Sequence, residues 1–373
     1  MSTFAELGIK EDLVKGLADI NIKRPTPIQE QTIPLLMESG HDFVGLAQTG
    51  TGKTAAFGLP LLQRIQPKMK KPQGLILAPT RELCQQIAKQ LFKFTKYTDK
   101  IFTESVYGGF PIVKQMENLK RQTHIIVATP GRLKDLIDRS AVDLRQVKTV
   151  ILDEADEMLS MGFKKEIDEI LEFVPKNTDT WLFSATMPQE IEVLIKKNMD
   201  PSVRRVEIDS KNRVNKDINH KYKLYSKHAD KFRMLTDFMG RQGQDRGVIF
   251  CKTKMAVREL AEKLNEFGYL TGAIEGDLDQ QERDKVMRAF RKQRLQILVA
   301  TDIFARGIDV HDIAYVVHYQ LPEKMEYYTH RSGRTGRAGK KGLSLSLILP
   351  NELRRLEHIA DKLKIKISES KGK

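Results

Sequence analysis

The chain has 373 residues, 40% of them hydrophobic and 30% charged, with a formal net charge of +14 and a pI near 9.5. That length exceeds one ordinary core and suits two domains, while scattered Gly and Pro exclude collagen-like or low-complexity architectures. Cys84 and Cys251 are too few for a disulfide scaffold or a cysteine zinc site, no run of about 18 apolar residues predicts a membrane span, and the basic balance favours a polyanionic partner, nucleic acid before an anionic membrane.

From the N-terminus, Met1-Ser2-Thr3-Phe4-Ala5-Glu6 lacks the basic-then-apolar pattern of a secretory signal, which points to a reducing, cytoplasmic setting. Short apolar runs then recur, each closed by a polar or glycine-rich cluster. Residues 43–46 precede Gln48-Thr49-Gly50, 75–78 precede Pro79-Thr80-Arg81, and 125–128 precede Thr129-Pro130-Gly131-Arg132. Residues 150–152 precede Asp153-Glu154, and 181–183 precede Ser184-Ala185-Thr186. Each run reads as a strand buried on both faces, and amphipathic stretches such as 82–97 and 164–174 read as helices. Alternating strand and helix predicts a parallel α/β sheet with its working residues beyond the strands' carboxyl ends.

The polar stretch 209–217 reads as a short linker between a first domain, 1–208, and a second, 218–373. There the rhythm restarts, with 248–251, 297–300 before Thr301-Asp302, and 315–317 before His318. A last helix is predicted over 352–363, followed by the short tail 364–373.

The segment Ala47-Gln48-Thr49-Gly50-Thr51-Gly52-Lys53-Thr54 lies between a predicted strand and a predicted helix, as a phosphate-cradling loop must. Lys53 is placed to reach terminal phosphates and Thr54 to hold Mg2+. Asp153-Glu154-Ala155-Asp156 closes another strand of the same sheet, so Asp153 is expected in the metal shell, largely through water, with Glu154 orienting the attacking water. Gln29, in Arg24-Pro25-Thr26-Pro27-Ile28-Gln29, carries an amide matched to adenine's N6 donor and N7 acceptor, which makes ATP the expected nucleotide.

The second half has no such loop. It holds His330-Arg331-Ser332-Gly333-Arg334-Thr335-Gly336-Arg337, whose Arg334 and Arg337 are candidates for stabilising charge on a phosphoryl group held by the first half. The alternative is a basic face that binds nucleic acid directly.

Together these residues resemble the DEAD-box RNA helicases of superfamily 2, over nearly the whole chain from about Phe4. The resemblance implies two tandem RecA-like parallel-sheet domains, the first binding ATP through an adenine-reading motif that takes in Phe4, Arg24 and Gln29. It places Ser184, Thr186, Asp156, His330 and Arg331 in coupling hydrolysis to strand separation, and Gly307 and Asp309 at the nucleotide. It puts RNA-backbone contacts on Pro79, Thr80, Arg81, Gly108, Gly109, Thr129, Pro130, Gly131 and Arg132 in the first domain, and on Gln280, Arg283 and Thr301 in the second. Such loops offer donors to phosphate and little base readout.

The implied activity is RNA-stimulated ATP hydrolysis by a monomer that locally unwinds short duplexes or remodels RNA–protein complexes. The alternatives are an ATP-dependent RNA clamp with little unwinding, and a DNA translocase. Ribosomal or RNA-decay proteins are candidate partners, and bacterial cytoplasm the expected setting. Three sites depart from the family pattern: the pair Asn21-Ile22 stands for a glycine–aromatic pair, Glu275 for a histidine, and Gln320 for an aspartate.

Overall fold

The structure is a computed structural model that describes residues 2–38, 40–47, 50–207, 217–302, 313–323, 325–336 and 340–370, without the side chains of His228, Ala229, Gln280 and Glu326. The chain divides into two compact units, Met1–Asp209 and Ser210–Lys373.

In the first unit seven strands form one sheet: β1 (Phe43–Leu46), β2 (Gly74–Leu77), β3 (Thr103–Val106), β4 (Ile125–Ala128), β5 (Thr149–Leu152), β6 (Asp179–Ser184) and β7 (Arg204–Glu207). Their order is β3-β4-β2-β5-β6-β1-β7 and every pairing is parallel. The central strands are buried along their whole length, with apolar residues at their middles, because both faces are covered. Phe43, Ile76, Ile151 and Trp181 face one core with helices Pro27–Met37, Lys53–Arg64 and Arg81–Phe94. Val44, Leu75, Val150 and Leu182 face the other, with helices Pro130–Asp138, Lys164–Glu172 and Gln189–Asn198.

The second unit repeats this construction with β8 (Ile218–Leu224), β9 (Gly247–Phe250), β10 (Thr271–Ile274), β11 (Ile297–Ala300), β12 (Tyr315–His318), β13 (Gly342–Ile348) and β14 (Ile367–Glu369), in the order β10-β11-β9-β12-β13-β8-β14, again all parallel.

Helix limits differ slightly from the sequence pattern, for local reasons. The helix expected over 82–97 runs Arg81–Phe94: Thr80 Oγ1 accepts from Leu83 N–H at its start, and at its end the Thr95 hydroxyl donates back to the carbonyls of Leu91 and Phe92. The helix expected over 164–174 stops at Glu172, just short of Pro175. The one expected over 352–363 runs Leu353–Leu363 behind a 3-10 turn, Pro350–Glu352.

Candidate active site

The phosphate-type loop leaves β1 at buried Ala47, whose N–H donates to Ser184 O at 3.0 Å. Gln48 and Thr49 lie outside the described residues. Gly50 and Gly52 then adopt φ of +83° and +96°, a left-handed backbone that favours glycine, and Gly52 caps the helix Lys53–Arg64. Lys53 is 6% exposed, and its Nζ has no hydrogen-bond partner among the described residues. A buried ammonium without an acceptor is costly, so this site fits an anion.

The segment around Gln29 is bonded directly to this loop. Thr26 Oγ1 donates to Thr51 O at 2.8 Å, and Gln29 Nε2 donates to Gly52 O at 2.9 Å. Gln29 Oε1 accepts from Thr26 N–H at 3.0 Å, which fixes the orientation of the amide and leaves one N–H and one lone pair for a base edge. The packing is tight: a Cβ on Gly52 would lie 2.4 Å from Gln29 Nε2. Arg24 is exposed beside this segment. Phe4 is 2% exposed in the hydrophobic core with Ile28 and Phe57, so its ring is enclosed by protein.

Asp153 emerges from the carboxyl end of β5 and is 3% exposed. Burial pushes its carboxyl up to about 7; Lys53 pulls it down, Glu154 raises it, and its Oδ1 accepts from Glu154 N–H at 3.0 Å. A buried carboxylate is a hard-oxygen donor of the kind that Mg2+ takes, so the Asp153 position fits that ion. Among the described residues no group of three or more His, Cys, Asp or Glu comes together as an all-protein metal cage. Glu154 itself has φ 52° and ψ 51°, a left-handed conformation in a non-glycine residue, of the sort that clusters at functional sites.

Asp156 Oδ2 accepts from both the N–H and the hydroxyl of Thr186, at 3.0 and 2.7 Å, and Ser184 Oγ donates to Thr186 O at 2.7 Å. The turn after β6 is therefore fastened to the acidic quartet after β5.

Three further clusters share the edge formed by β3, β4 and β2 and meet around Tyr107. The Arg81 guanidinium lies 4.8 Å from the Tyr107 ring centroid, and Gln85 Nε2 donates to Tyr107 Oη at 2.7 Å. Gln115 Nε2 donates to Tyr107 O at 3.0 Å, while Arg132 Nη1 donates to Phe110 O at 2.8 Å and to Gln115 Oε1 at 2.9 Å. Gly108 and Gly109 stand exposed between these braces, Thr129 and Gly131 are half-buried, and Pro130 is buried at its helix start. Arg132 thus shapes the glycine turn. Sequence reading missed Tyr107 and Gln115, which carry no motif of their own.

In the second unit, Thr301 follows β11, is 6% exposed, and its Oγ1 has no partner among the described residues. Arg331 is fully buried; its Nε and Nη2 donate to Asp302 Oδ1 and Oδ2 at 2.5 and 2.8 Å, and its Nη1 to Gln320 O at 2.7 Å. Arg334 Nε donates to His330 O at 3.1 Å, and both residues are 5% exposed. Beneath this turn, His318 Nε2 lies 3.1 Å from the hydroxyls of Ser332 and Ser344, and its ring stacks on Tyr328 at 4.5 Å. Arg283 is half-buried on the helix Gln280–Arg291, whose first turn is capped by Asp279. The Gln280 side chain, Gly307, Asp309 and Arg337 lie outside what is described.

Residues 26–194 match the DEAD/DEAH box helicase family, and residues 230–339 match the helicase conserved C-terminal domain. The chain is 42% identical to the DEAD-box ATP-dependent RNA helicase CshA of Bacillus cereus, over 96% of this chain and 68% of that protein. It is 41% identical to CshA of Geobacillus kaustophilus, over 100% and 79%. This chain belongs to the DEAD-box helicase family. Among solved structures, S. cerevisiae Dbp5 bound to RNA and ADP BeF3 superposes with a TM-score of 0.91 at 33% identity, covering 99% of this chain and 96% of that one.

The three departures from the DEAD-box pattern have local explanations. Asn21 has φ 61°, a left-handed conformation that asparagine tolerates next after glycine, and Ile22 packs on the first core. Gln320 Oε1 accepts from Lys252 N–H at 2.7 Å, tying the loop after β9 to the one after β12. Glu275 is 2% exposed and forms an ion pair with Arg258, whose Nε and Nη2 donate to Oε1 at 2.9 and 2.5 Å.

Proposed function

We propose that this protein hydrolyses ATP in an RNA-stimulated manner and uses the cycle to open short RNA duplexes or to remodel RNA–protein complexes. The observation that carries the reading is Lys53, a buried ammonium without a hydrogen-bond partner among the described residues, set against the desolvated Asp153 carboxylate on the same sheet edge. Phosphate oxygens supply the acceptor that Lys53 lacks. Thr54 and Asp153 would hold Mg2+, which neutralises charge on the phosphate oxygens.

Gln29 reads the adenine edge with its remaining N–H and lone pair. The backbone N–H groups of the Gly50–Gly52 turn and the Lys53 ammonium hold the phosphates in line. Glu154 orients water and takes its proton as the new bond to the terminal phosphorus forms and the bond to the ADP oxygen breaks. Arg334 and Arg337 of the second unit stabilise the charge that develops on the transferred group, with Asp309 at the ribose and Gly307 at the nucleotide. Thr80, Arg81, Gly108, Gly109, Thr129, Gly131, Thr301, Gln280 and Arg283 contact RNA phosphates.

Support comes from the relatives, which are named ATP-dependent RNA helicases, and from Dbp5, solved with RNA and ADP BeF3. Among the described residues no helix is long and apolar enough to cross a membrane. We read the enzyme as a cytoplasmic monomer whose targets come through ribosomal or RNA-decay proteins. The test is phosphate release with and without single-stranded RNA and single-stranded DNA. Turnover stimulated by RNA alone is expected; none would leave an ATP-dependent clamp, and equal stimulation by DNA would indicate a DNA translocase.

A further inference from the structure

The first unit carries a second concentration of positive charge, on the sheet edge opposite the phosphate-type loop. Because the strands are parallel, the clusters described above lie beyond their carboxyl ends, and the connections that enter the strands gather at the amino ends. The order β3-β4-β2-β5-β6 sets five of these connections side by side. Lys68, Lys70 and Lys71 precede β2, Arg121 precedes β4, Lys148 precedes β5 and Lys176 precedes β6, and all six are exposed.

These connections are held together as one surface. Gln122 Nε2 donates to Pro67 O at 3.2 Å, and His124 Nε2 lies 3.1 Å from the same oxygen. The side-chain amide of Gln73 exchanges two bonds with the backbone of Gln66, at 2.8 and 3.0 Å. Lys148 N–H donates to Gln73 O at 2.8 Å, and Asp179 N–H donates to Lys148 O at 3.0 Å. A depression lined by Met69, Lys71, Asp143, Arg145 and Gln146 opens here, and its carboxylate, Asp143, is already matched by Arg145 at 2.9 Å and Lys71 at 3.5 Å.

An aromatic ring flanks the charge. Phe102, just before β3, is 44% exposed, stacks on the His124 ring at 5.7 Å, and is fixed by its own N–H donating to His124 Nδ1 at 2.9 Å. Clustered cations beside an exposed aromatic ring that is stacked on its neighbour are the combination that holds single-stranded nucleic acid: phosphates go to the cations and a base stacks on the ring. An acidic protein or an anionic membrane would use the cations alone.

We propose that this edge is a second binding site for single-stranded RNA, in which Lys68, Lys70 and Arg121 take the phosphates and Phe102 stacks a base. It rests on the reading that RNA is the substrate, and it gives the first unit a hold on RNA flanking the remodelled segment. A unit of this length is about 40 Å across, so only a long strand reaches both edges.

The test uses the full chain with RNA strands of about eight and about forty nucleotides, comparing unmodified protein with the triple variant Lys68→Glu, Lys70→Glu, Arg121→Glu and with Phe102→Ala. Stimulation of ATP turnover by the short strand stays within about twofold, whereas affinity for the long strand falls about tenfold or more in the triple variant, and the slope of log affinity against log salt shrinks by about 2. Phe102→Ala weakens the long strand by about fivefold or more with that slope unchanged. Unchanged binding of the long strand, or equal weakening for both lengths, overturns the proposal. Absence of RNA-stimulated turnover in the unmodified protein is a separate result, which would count against the helicase reading itself.

Discussion

Thr186 gives both its backbone N–H and its hydroxyl to one carboxylate oxygen of Asp156, at 3.0 and 2.7 Å. These bonds join the turn after β6 to the acidic quartet after β5, so a change at the nucleotide has a short mechanical path into a neighbouring loop. Thr186→Ala removes the hydroxyl bond and keeps the other, at a stability cost of about 1 kcal/mol. ATP turnover is expected to stay within a few-fold while unwinding of a short duplex drops well beyond that. Parallel assays of phosphate release and strand displacement check it; equal losses in both would show that the bond serves hydrolysis rather than its coupling.

Glu154 holds a left-handed backbone that costs a non-glycine residue on the order of 1 kcal/mol, which gives stability and chemistry opposite demands at one position. Glu154→Gln keeps the shape and loses the proposed proton acceptor, so turnover is expected to fall by about 10²- to 10⁴-fold while ATP and RNA binding persist. Glu154→Gly also abolishes turnover, yet is expected to unfold no more easily than the unmodified chain, by denaturant midpoint. A clearly destabilised glycine variant would mean that the Glu154 side chain contributes more to the fold than its backbone strain takes away.

These residues were legible in the sequence because their chemistry is local: glycines before Lys53, carboxylates after an apolar run, paired arginines. The central strands were legible as well, since β1, β2, β4, β5 and β6 are buried on both faces and each contains a short apolar run, such as 150–152 in β5 and 181–183 in β6. The edge strands were not. β3 reads Thr103-Glu104-Ser105-Val106 and β7 reads Arg204-Arg205-Val206-Glu207, because strands at a sheet margin remain partly open to solvent. Tyr107 and Gln115 were equally silent, and Gln320 stood out only as a departure from the family pattern: each matters by bracing a segment that is near only in space, which spacing along the chain does not encode.

His220 sets an acid limit on the second unit. It is 3% exposed, its Nδ1 lies 3.0 Å from Tyr328 Oη, and burial pushes its imidazole down to about 4 from an ordinary 6.5. The native state therefore binds fewer protons than the unfolded chain, so the stabilisation is complete above pH 6.5 and is lost as pH falls toward 4, on the order of 3 kcal/mol in all. His318, held well below its usual value by burial and by Arg331, acts in the same direction. His220→Phe keeps a ring beside Tyr328, loses about 1 kcal/mol near neutral pH with the hydrogen bond, and should flatten the pH dependence. Urea unfolding at pH 7.5 and pH 5 measures this, and an unaltered acid sensitivity would rule out His220 as its source.

Arg331 is fully buried and forked onto both oxygens of Asp302, so its first role is to hold the second unit together. Arg331→Lys keeps the charge but presents a single ammonium where three separate acceptors, the two Asp302 oxygens and Gln320 O, are now met by a planar group. Loss of about 3 kcal/mol is expected from the second unit, because the Asp302 carboxylate is left poorly paired. The ATP binding proposed for Lys53 and Gln29 belongs to the first unit and should survive. Denaturant unfolding together with nucleotide-binding titrations separates the two effects: a normally stable Arg331→Lys protein that has lost turnover would place Arg331 in the coupling machinery, whereas parallel loss of stability and turnover follows from the buried fork alone.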